Sequence, residues 1–126
     1  MDIPIVTDLT GMVEAFYAKV DADELTVIEE VMAPEAELAF NSDPPIIGRT
    51  EIRNFVSRFK KAFDSVIHEI LVMHHDPDRQ TVACEVIVTY TFPDGHFVRV
   101  HAASVFAYLG EEMTSWHIFV DTSELA

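Results

Sequence analysis

The sequence predicts an α+β fold in which three N-terminal helices pack on one face of a curved antiparallel sheet. Two observations carry this prediction. Apolar residues recur at helical spacing as far as Phe63, and from Ser65 onward four β-rich runs are separated by turn signals. Helices followed by a meander of strands are typical of α+β domains. Residues 1–126 are predicted to form a single domain, long enough to bury about two-thirds of the surface of the unfolded chain.

Three segments have the apolar periodicity of helices. Thr7 and Asp8 are suited to cap the first, and Pro34 disfavours helical backbone at Ala33 and so ends the second. Thr50 is suited to cap the third. The apolar positions are Leu9, Val13, Phe16, Tyr17 and Val20 in the first helix, Leu25, Ile28, Val31 and Met32 in the second, and Ile52, Phe55, Val56, Phe59 and Phe63 in the third.

The remaining segments are strands, turns and one loop. "EAELAF" alternates as a brief strand, and "NSDPPIIGR" is predicted to be a loop from its Pro and Gly content. The later strands are "SVIHEILVMH", "QTVACEVIVTYTF", "FVRVHAASVFAYL" and "MTSWHIFVD", and the turns between them are "HDPDR", "FPDGH" and "LGEE".

Charge and cysteine content exclude several function classes. The net charge is -14 and the eight Lys and Arg are scattered, so a basic stripe for nucleic acid or an anionic membrane is absent from the sequence. The start "MDIPIVTDLT" lacks the basic region of a signal peptide, and a cytoplasmic protein is predicted. Cys84 is the only cysteine and is predicted to be buried. The adjacent His74 and His75 point to opposite faces of a strand, so no metal or cofactor is predicted.

The β-rich run "VACEVIVTY" is apolar on both of its faces. Its two alternating sets are Val82, Cys84, Val86, Val88 and Tyr90, and Ala83, Glu85, Ile87, Thr89 and Thr91. Because the helices can cover only one face, a second copy of the chain is predicted to cover the other. The prediction is a homodimer that buries the face with Val82, Val86 and Val88.

Three stretches carry a resemblance to a known superfamily. They are "FYAKVDADELTVIEEVMAPEAEL", "PPIIGRTEIRNF" and "DGHFVRVHAASVFAYLGEEMTSWHIFVD". In this order and at these separations they resemble the nuclear transport factor 2-like superfamily, the cone-shaped α+β fold of SnoaL-like polyketide cyclases, ketosteroid isomerases and limonene epoxide hydrolases. The resemblance implies the fold, whereas one fold hosts many reactions.

Apolar side chains stand where these families have catalytic acids. The resemblance places Phe40 at the general base of the isomerases and at a polar residue of the epoxide hydrolases. Glu85, Ile87 and Ile118 fall at the arginine and two aspartates of the hydrolases, and Ile118 also falls at the acid of the cyclases. Since phenylalanine and isoleucine neither accept a proton nor orient water, the three reactions are not predicted by their usual residues.

The same resemblance indicates which side chains face a cavity. The oxyanion-hole tyrosine of the isomerases falls at Phe16, beside Tyr17, and their oxyanion-hole acid falls at Ser104. The strand residues that fall toward the cavity are Glu85, Ile87 and Thr89.

Turn lengths predict the neighbours of Glu85. A two-residue loop at Asp94-Gly95 places Glu85 opposite Ser104. The alternative left open is a register shifted by one residue, which puts the Val82 to Tyr90 stripe in the core and Glu85 in solvent.

Two further turns complete the predicted pocket. A turn at Pro77-Asp78 places His68 opposite Ile87 and within reach of Glu85. A three-residue loop from Gly110 to Glu112 places Ile118 across from Ser104.

These inferences predict an apolar pocket for a small organic ligand, with a His-Glu pair available for proton transfer in an isomerase, cyclase or hydrolase. The alternative is a binding or structural protein of the same fold that turns nothing over, and the sequence leaves this choice open. The candidate catalytic residues are Glu85, His68 and Ser104. The candidate ligand-binding residues are Phe16, Tyr17, Phe40, Ile87, Thr89, Phe106, Trp116 and Ile118.

Other polar residues are interpreted as structural. Asp21, Asp23 and Glu24 are assigned to a solvated junction between the first two helices, with Asp23 as a cap. Asp121 is predicted to hydrogen-bond the following "TSEL" turn. The remaining strand histidines, His101 and His117, are placed on the outer face of the sheet.

Overall fold

Three helices cover one face of a six-stranded sheet in the computed structural model, which describes residues 5–125. The first four residues and the last residue of the predicted domain lie outside this range. The helices are α1 (Leu9–Asp21), α2 (Thr26–Val31) and α3 (Arg49–Lys60), and the strands are β1 (Met32–Phe40), β2 (Ile46–Ile47), β3 (Ser65–Asp76), β4 (Thr81–Thr91), β5 (Phe97–Leu109) and β6 (Glu112–Val120). The predicted α+β architecture is confirmed.

The strands are ordered β2-β1-β6-β5-β4-β3 across the sheet. Strands β3 to β6 form the predicted antiparallel meander. Strand β1 runs parallel to β6, so the sheet is mixed rather than wholly antiparallel. Within the predicted loop, Ile46 and Ile47 form a short edge strand against β1. None of the described helices is long and apolar enough to cross a membrane.

Helix α1 is defined by a cap at each end. At its start the Asp8 carboxylate accepts a hydrogen bond from the Gly11 amide at 3.2 Å, as predicted. At its end Asp23 takes a left-handed conformation with φ of 63°, and the Glu24 amide donates to the Lys19 carbonyl at 2.9 Å. This pairing is a Schellman motif. Asp23 is therefore part of the C-terminal cap of α1, and the N-cap position of α2 is Leu25.

Gly48, and not a threonine, occupies the N-cap position of helix α3. Gly48 has φ of 99°, which a residue with a Cβ rarely adopts. Its carbonyl accepts from the Ile52 amide at 2.9 Å, and its amide donates to the Ala36 carbonyl of β1 at 2.8 Å. Thr50 lies inside the first turn, so the prediction that it caps the helix is wrong.

The stripe of apolar residues on β4 faces the helices. Each of its members is at most 3% exposed within this one chain: Val82, Cys84, Val86, Val88 and Tyr90. The prediction that Val82, Val86 and Val88 form a dimer interface is therefore wrong, since these side chains are already in the core. Burial raises the pKa of the Cys84 thiol to about 11, which keeps it an uncharged core side chain.

A single extra loop residue explains the error. The β4-β5 hairpin has a three-residue loop over 93–95, with the Phe92 amide donating to the His96 carbonyl at 2.9 Å and Gly95 at φ of 93°. The predicted loop had two residues. Because side chains alternate along a strand, this shift pairs Cys84 with Ser104 and moves Glu85 opposite Ala103.

The β3-β4 hairpin shows a shift of the same size. Its loop spans four residues between Asp76 and Thr81, and the register then slips at a bulge between Ile70 and Val72. His68 consequently pairs with Val88 and not with Ile87. His68 stays on the helix-covered face while Glu85 and Ile87 lie on the other.

We call the uncovered side of the sheet the outer face. Its members include Ile67, Glu69, Glu85, Ile87, Thr89, Arg99, His101, Ala103, His117 and Phe119. The prediction that His101 and His117 lie on this face is confirmed. Two of its large apolar side chains, Ile67 and Phe119, are 44% and 45% exposed.

Candidate functional site

A histidine and an aspartate from distant parts of the chain form a partly buried pair under the helices. The His68 Nδ1 lies 2.6 Å from the Asp21 Oδ1, and the His68 backbone amide donates to the Asp21 Oδ2 at 2.8 Å. Their side chains are 15% and 13% exposed. The Schellman motif at the end of α1 places Asp21 in the last helical turn, where its carboxylate reaches β3.

The ring contact indicates which nitrogen of a neutral imidazole carries the hydrogen. A carboxylate only accepts hydrogen bonds, so the Asp21 Oδ1 selects the tautomer with its hydrogen on Nδ1. The Nε2 atom of His68 then keeps a lone pair. An imidazole held in this way can accept a proton at Nε2, while the adjacent carboxylate stabilises the resulting positive charge.

An apolar cavity lies on one side of His68, between the helices and the sheet. Its volume is about 60 Å³. The lining residues are Val20, Leu38, Phe40, Phe55, Val56, Phe59, Lys60, Val66, His68, Val86, Val88, Tyr90, Ala102, Ser104, Trp116, Ile118 and Val120. A cavity needs about 10–15 Å³ of such space to hold one water molecule, so this cavity has room for a very small ligand.

The cavity includes some of the predicted site residues and excludes others. Those that line it are Phe40, His68, Ser104, Trp116 and Ile118, and Ser104 pairs with Ile118 as predicted. Phe16, Tyr17 and Phe106 lie next to Trp116 in a buried aromatic cluster, with ring centroids 5.0 to 6.4 Å from the indole. Glu85, Ile87 and Thr89 are on the outer face, so their predicted position in the pocket is wrong.

Glu85 forms a different pair from the one predicted. Its side chain is 62% exposed, and its Oε2 lies 3.1 Å from the Nε2 of His74, which is equally exposed. An exposed ion pair of this kind contributes little to stability. The predicted His68–Glu85 pair is replaced by His68–Asp21, while His74 and Glu85 form a separate surface pair.

An open groove lies on the other side of the His68–Asp21 pair, between α1 and β3. It has a volume of about 740 Å³, and its lining includes Tyr17, Asp21 and His68. Asp21 lines this groove and not the cavity, so the histidine stands between the carboxylate and the cavity. This arrangement suits Asp21 to orient His68 rather than to contact a molecule in the cavity.

Two buried hydrogen-bond donors near His68 have no partner among residues 5–125. They are the Tyr17 hydroxyl and the Trp116 Nε1. The Tyr17 ring packs on the His68 ring with centroids 4.5 Å apart. Burial raises the pKa of Tyr17, so the hydroxyl stays protonated at neutral pH; Ser104 and Trp116 lie nearby but do not meet hydrogen-bond geometry with it. Unpaired buried donors are rare in proteins and are candidates to bind a ligand oxygen.

Replacing Tyr17 by phenylalanine tests whether its hydroxyl has a structural role. We expect Tyr17→Phe to leave the free energy of unfolding unchanged or to raise it by about 1 kcal/mol, because the change removes an unpaired buried polar group. Urea unfolding of both proteins measures this. A loss of more than about 1 kcal/mol would mean that the hydroxyl is hydrogen-bonded in the folded protein.

Asp121 has a structural role after β6. Asp121 accepts a hydrogen bond from the Ser123 amide at 3.0 Å, as predicted, and this bond lowers the pKa of its carboxyl. Within the described part of the chain, no group of three or more His, Cys, Asp or Glu is arranged to hold a metal ion.

Sequence reasoning did not identify Asp21 as a site residue. The carboxylate lies in an acidic segment that resembles a solvated helix junction, and it is 47 residues from His68. The usable signal was the helical spacing of Tyr17 and Asp21, which puts both on the face of α1 that meets the sheet.

Comparisons with known proteins agree with this fold. The sequence model of the SnoaL-like domain family matches residues 13–116. No curated protein sequence matches the chain significantly. One similar structure is a protein from Jannaschia sp. CCS1 classed as a SnoaL-like polyketide cyclase. Its sequence is 16% identical, the TM-score is 0.85, and the alignment covers 99% of this chain and 93% of the Jannaschia chain.

Two further solved structures are similar. SalBIII is an epoxide hydrolase/cyclase-like enzyme in pyran ring formation in the polyether salinomycin. It is 19% identical with a TM-score of 0.79, and the alignment covers 90% of this chain and 91% of the SalBIII chain. The other is a protein from Catenulispora acidiphila DSM 44928 with a ketosteroid isomerase-like fold, in complex with trimethylamine. It is 17% identical with a TM-score of 0.76, and the alignment covers 85% of this chain and 82% of the Catenulispora chain. At these identities the likeness concerns the fold.

Proposed function

This chain belongs to the SnoaL-like domain family, and we propose that it is an enzyme that removes a proton from a small, mainly apolar organic molecule held in the cavity beside His68. The observation that carries the proposal is the His68–Asp21 pair, with His68 lining an apolar cavity and Asp21 behind it. An apolar cavity with a few convergent polar groups is the usual form of a small-molecule site.

His68 acts as the general base. Its Nε2 lone pair accepts a proton from a carbon next to a carbonyl group, and the electron pair of the broken C–H bond moves onto the carbonyl oxygen. Asp21, which accepts the Nδ1 hydrogen, stabilises the imidazolium that forms. In an isomerisation the proton then returns from Nε2 to another carbon. In a ring closure the enolate carbon attacks a second carbonyl of the same molecule, the π electrons of that carbonyl move to its oxygen, and the resulting alkoxide takes the proton from Nε2.

Buried donors stabilise the oxygen on which negative charge develops. The Ser104 hydroxyl and the Trp116 indole belong to residues that line the cavity, and the Trp116 N–H has no partner among the described residues. Donors fixed in advance in a site of low polarity stabilise a developing oxyanion strongly. Tyr17 packs beside Trp116 and His68 but lines the groove and not the cavity, so it is left out of this donor set.

Ring closure or isomerisation is the favoured outcome. The cavity walls are almost wholly apolar, so water is a poor competitor for the carbanion. The two similar structures described as a polyketide cyclase and as a cyclase-like enzyme of pyran ring formation also support ring closure. Hydrolysis, the third predicted reaction class, needs His68 to activate a water in the same place.

A binding or structural protein of the same fold is the second candidate. The small cavity volume favours it, because about 60 Å³ is well below the roughly 300 Å³ at which pockets for drug-sized ligands begin. Phe40 and Ile118 occupy the space in which related enzymes carry acids. A larger substrate would require movement of Phe40, Phe55 or Phe59, which are partly buried at the wall formed by α3 and β1.

We also propose a homodimer formed through the outer face. The predicted partner is retained, but the surface changes from the Val82 stripe to the side carrying Ile67, Ile87 and Phe119. Exposed apolar side chains spread over one sheet face favour a protein partner, and a second copy buries them without requiring any other protein. The cytoplasmic location inferred from the sequence stays a prediction.

Deuterium exchange tests the proposed chemistry without knowledge of the natural substrate. We expect the protein to accelerate exchange of the protons next to the carbonyl of acetone or cyclopentanone in D₂O, measured by loss of their NMR signals. These probes match the small apolar cavity. The control is Glu85→Gln, which removes the surface pair with His74 and should exchange at the wild-type rate.

Two outcomes would contradict the proposal. Exchange no faster than with heat-denatured protein for both ketones would favour the binding or structural candidate. A large loss of exchange in Glu85→Gln would mean that the surface pair, and not His68–Asp21, performs the chemistry.

A further inference from the structure

Lys60 is a largely buried lysine that lines the same cavity as His68. Its side chain is only 10% exposed, at the end of α3. Its Nζ donates to the Val20 backbone carbonyl and lies 2.9 Å from the Asp23 Oδ1. Of the eight Lys and Arg in the chain, Lys60 is the one whose side chain lines this cavity.

The ammonium group retains binding capacity. A lysine carries three N–H donors, and the contacts with Val20 and Asp23 use two of them. The Asp23 carboxylate is itself 70% exposed, so solvent screens its attraction for the ammonium. The third N–H of Lys60 is used by neither contact, and it is the donor on which the inference below rests.

Lys60 and His68 are anchored at consecutive positions of α1. Lys60 binds the carbonyl of Val20, and His68 binds the side chain of Asp21. The Schellman motif holds both anchors, because the Asp23 amide also donates to the Val20 carbonyl at 3.1 Å. The end of α1 thus fixes a cation and a base beside one cavity.

We propose that Lys60 is a substrate-binding residue that selects molecules carrying an anionic oxygen, such as a small apolar carboxylic acid or a keto acid. The carboxylate accepts a hydrogen bond from Nζ, and the apolar remainder extends along the cavity toward His68. This inference rests on the proposed function in taking the cavity as the substrate site, and it adds the substrate class. Charge-assisted hydrogen bonds in sites of low polarity are strong enough to decide which ligand binds.

A purely structural role makes a different prediction for Asp23. Lys60 belongs to α3, but its ammonium contacts the C-terminal end of α1. A cation at that position stabilises the last carbonyls of a helix. If that is its whole role, removing the Asp23 charge has no effect on ligands. If Lys60 binds an anion, Asp23 competes with that anion for the ammonium, and Asp23→Asn strengthens binding.

The test compares propionate with its uncharged isostere propionamide by NMR titration of the protein at low salt. We expect propionate to bind about tenfold more tightly. The net charge of -14 disfavours anion binding in general, so a preference for propionate indicates a local cation, and the Lys60 variants test which one it is. Lys60→Met should abolish the preference, Lys60→Arg should keep most of it, and Asp23→Asn should increase propionate affinity.

Several results would overturn the inference. They are equal affinity for the two probes in the wild-type protein, a preference that survives in folded Lys60→Met, and unchanged propionate affinity in Asp23→Asn. If Lys60→Met fails to fold by circular dichroism, Asp23→Asn alone decides the matter. Because these titrations measure binding without turnover, propionate selectivity with no deuterium exchange would remove the proposed reaction and leave the anion site.

Discussion

Val86→Lys is expected to prevent folding, whereas Ile87→Lys, one residue along the same strand, is expected to leave the fold intact. Val86 is 1% exposed and packs under the helices. An unpaired charge in such a place costs more than about 4 kcal/mol, which is comparable with the whole stability of a small domain. Ile87 lies on the outer face opposite Glu69, so the ammonium of an introduced lysine can reach solvent and the edge of the exposed Glu69–Arg99 pair.

The matched variants also test the proposed dimer. Far-ultraviolet circular dichroism reports folding, and light scattering reports the mass in solution. We expect the wild-type protein to have the mass of a dimer and folded Ile87→Lys to have the mass of a monomer. A folded Val86→Lys protein would mean that the Val82 stripe faces outward, and a monomeric wild-type protein would contradict the homodimer.

The fold class was predictable because it depends on local patterns. The helical spacing of Leu9, Val13 and Phe16, and the turn signals between the later strands, act over a few residues and need no knowledge of partners. The Asp8 cap and the Asp121 turn were predictable for the same reason, since each side chain binds a backbone amide two or three residues away.

The faces of β4 were not predictable from alternation alone. Both faces of this strand are apolar enough to be covered, so the pattern does not say which one meets the helices. The choice then depended on loop lengths, and the loop at 93–95 has one residue more than predicted. That extra residue shifts the pairing of β4 and β5 by one position, so Val86 and not Glu85 lies on the face that the helices cover.

A compensating irregularity explains why Ser104 and Ile118 were placed correctly. The β5-β6 loop is one residue shorter than predicted, since Leu109 pairs with Glu112. A bulge between Ala107 and Tyr108 restores the missing residue before Ser104 is reached. Bulges have weak sequence signals, so agreement at this position does not show that register can be predicted from turns.

The candidate site was partly predictable. His68 was identified from its place in a strand of the cavity, but its partner depends on a tertiary contact between β3 and the end of α1. Asp21 reaches His68 only because the Schellman motif ends α1 at this residue. The sequence contains four acids between positions 21 and 30 besides the one at 21, and spacing alone does not single one out.

Loss of the His68–Asp21 pair should reduce the proposed deuterium exchange more than any other single change in the cavity. His68→Gln removes the base while keeping an amide N–H for Asp21, and we expect exchange to fall by roughly 10²–10⁴-fold with the fold intact. His74→Gln is the matched control, because this histidine pairs with Glu85 on the outer face. Equal losses in both variants would contradict a specific role for His68.

Asp21→Asn separates orientation from direct chemistry. In the wild-type protein both carboxylate oxygens accept hydrogen bonds, one from the His68 amide and one from Nδ1. Asparagine replaces one acceptor by a donor, so either the backbone bond is lost or the ring must carry its hydrogen on Nε2, where the base is needed. We expect exchange to fall roughly 10²-fold, Asp21→Glu to recover part of it, and nitrogen-15 NMR of His68 to show loss of the Nδ1–H form. Wild-type exchange in Asp21→Asn, or an unchanged His68 spectrum, would mean that Asp21 does not position the base.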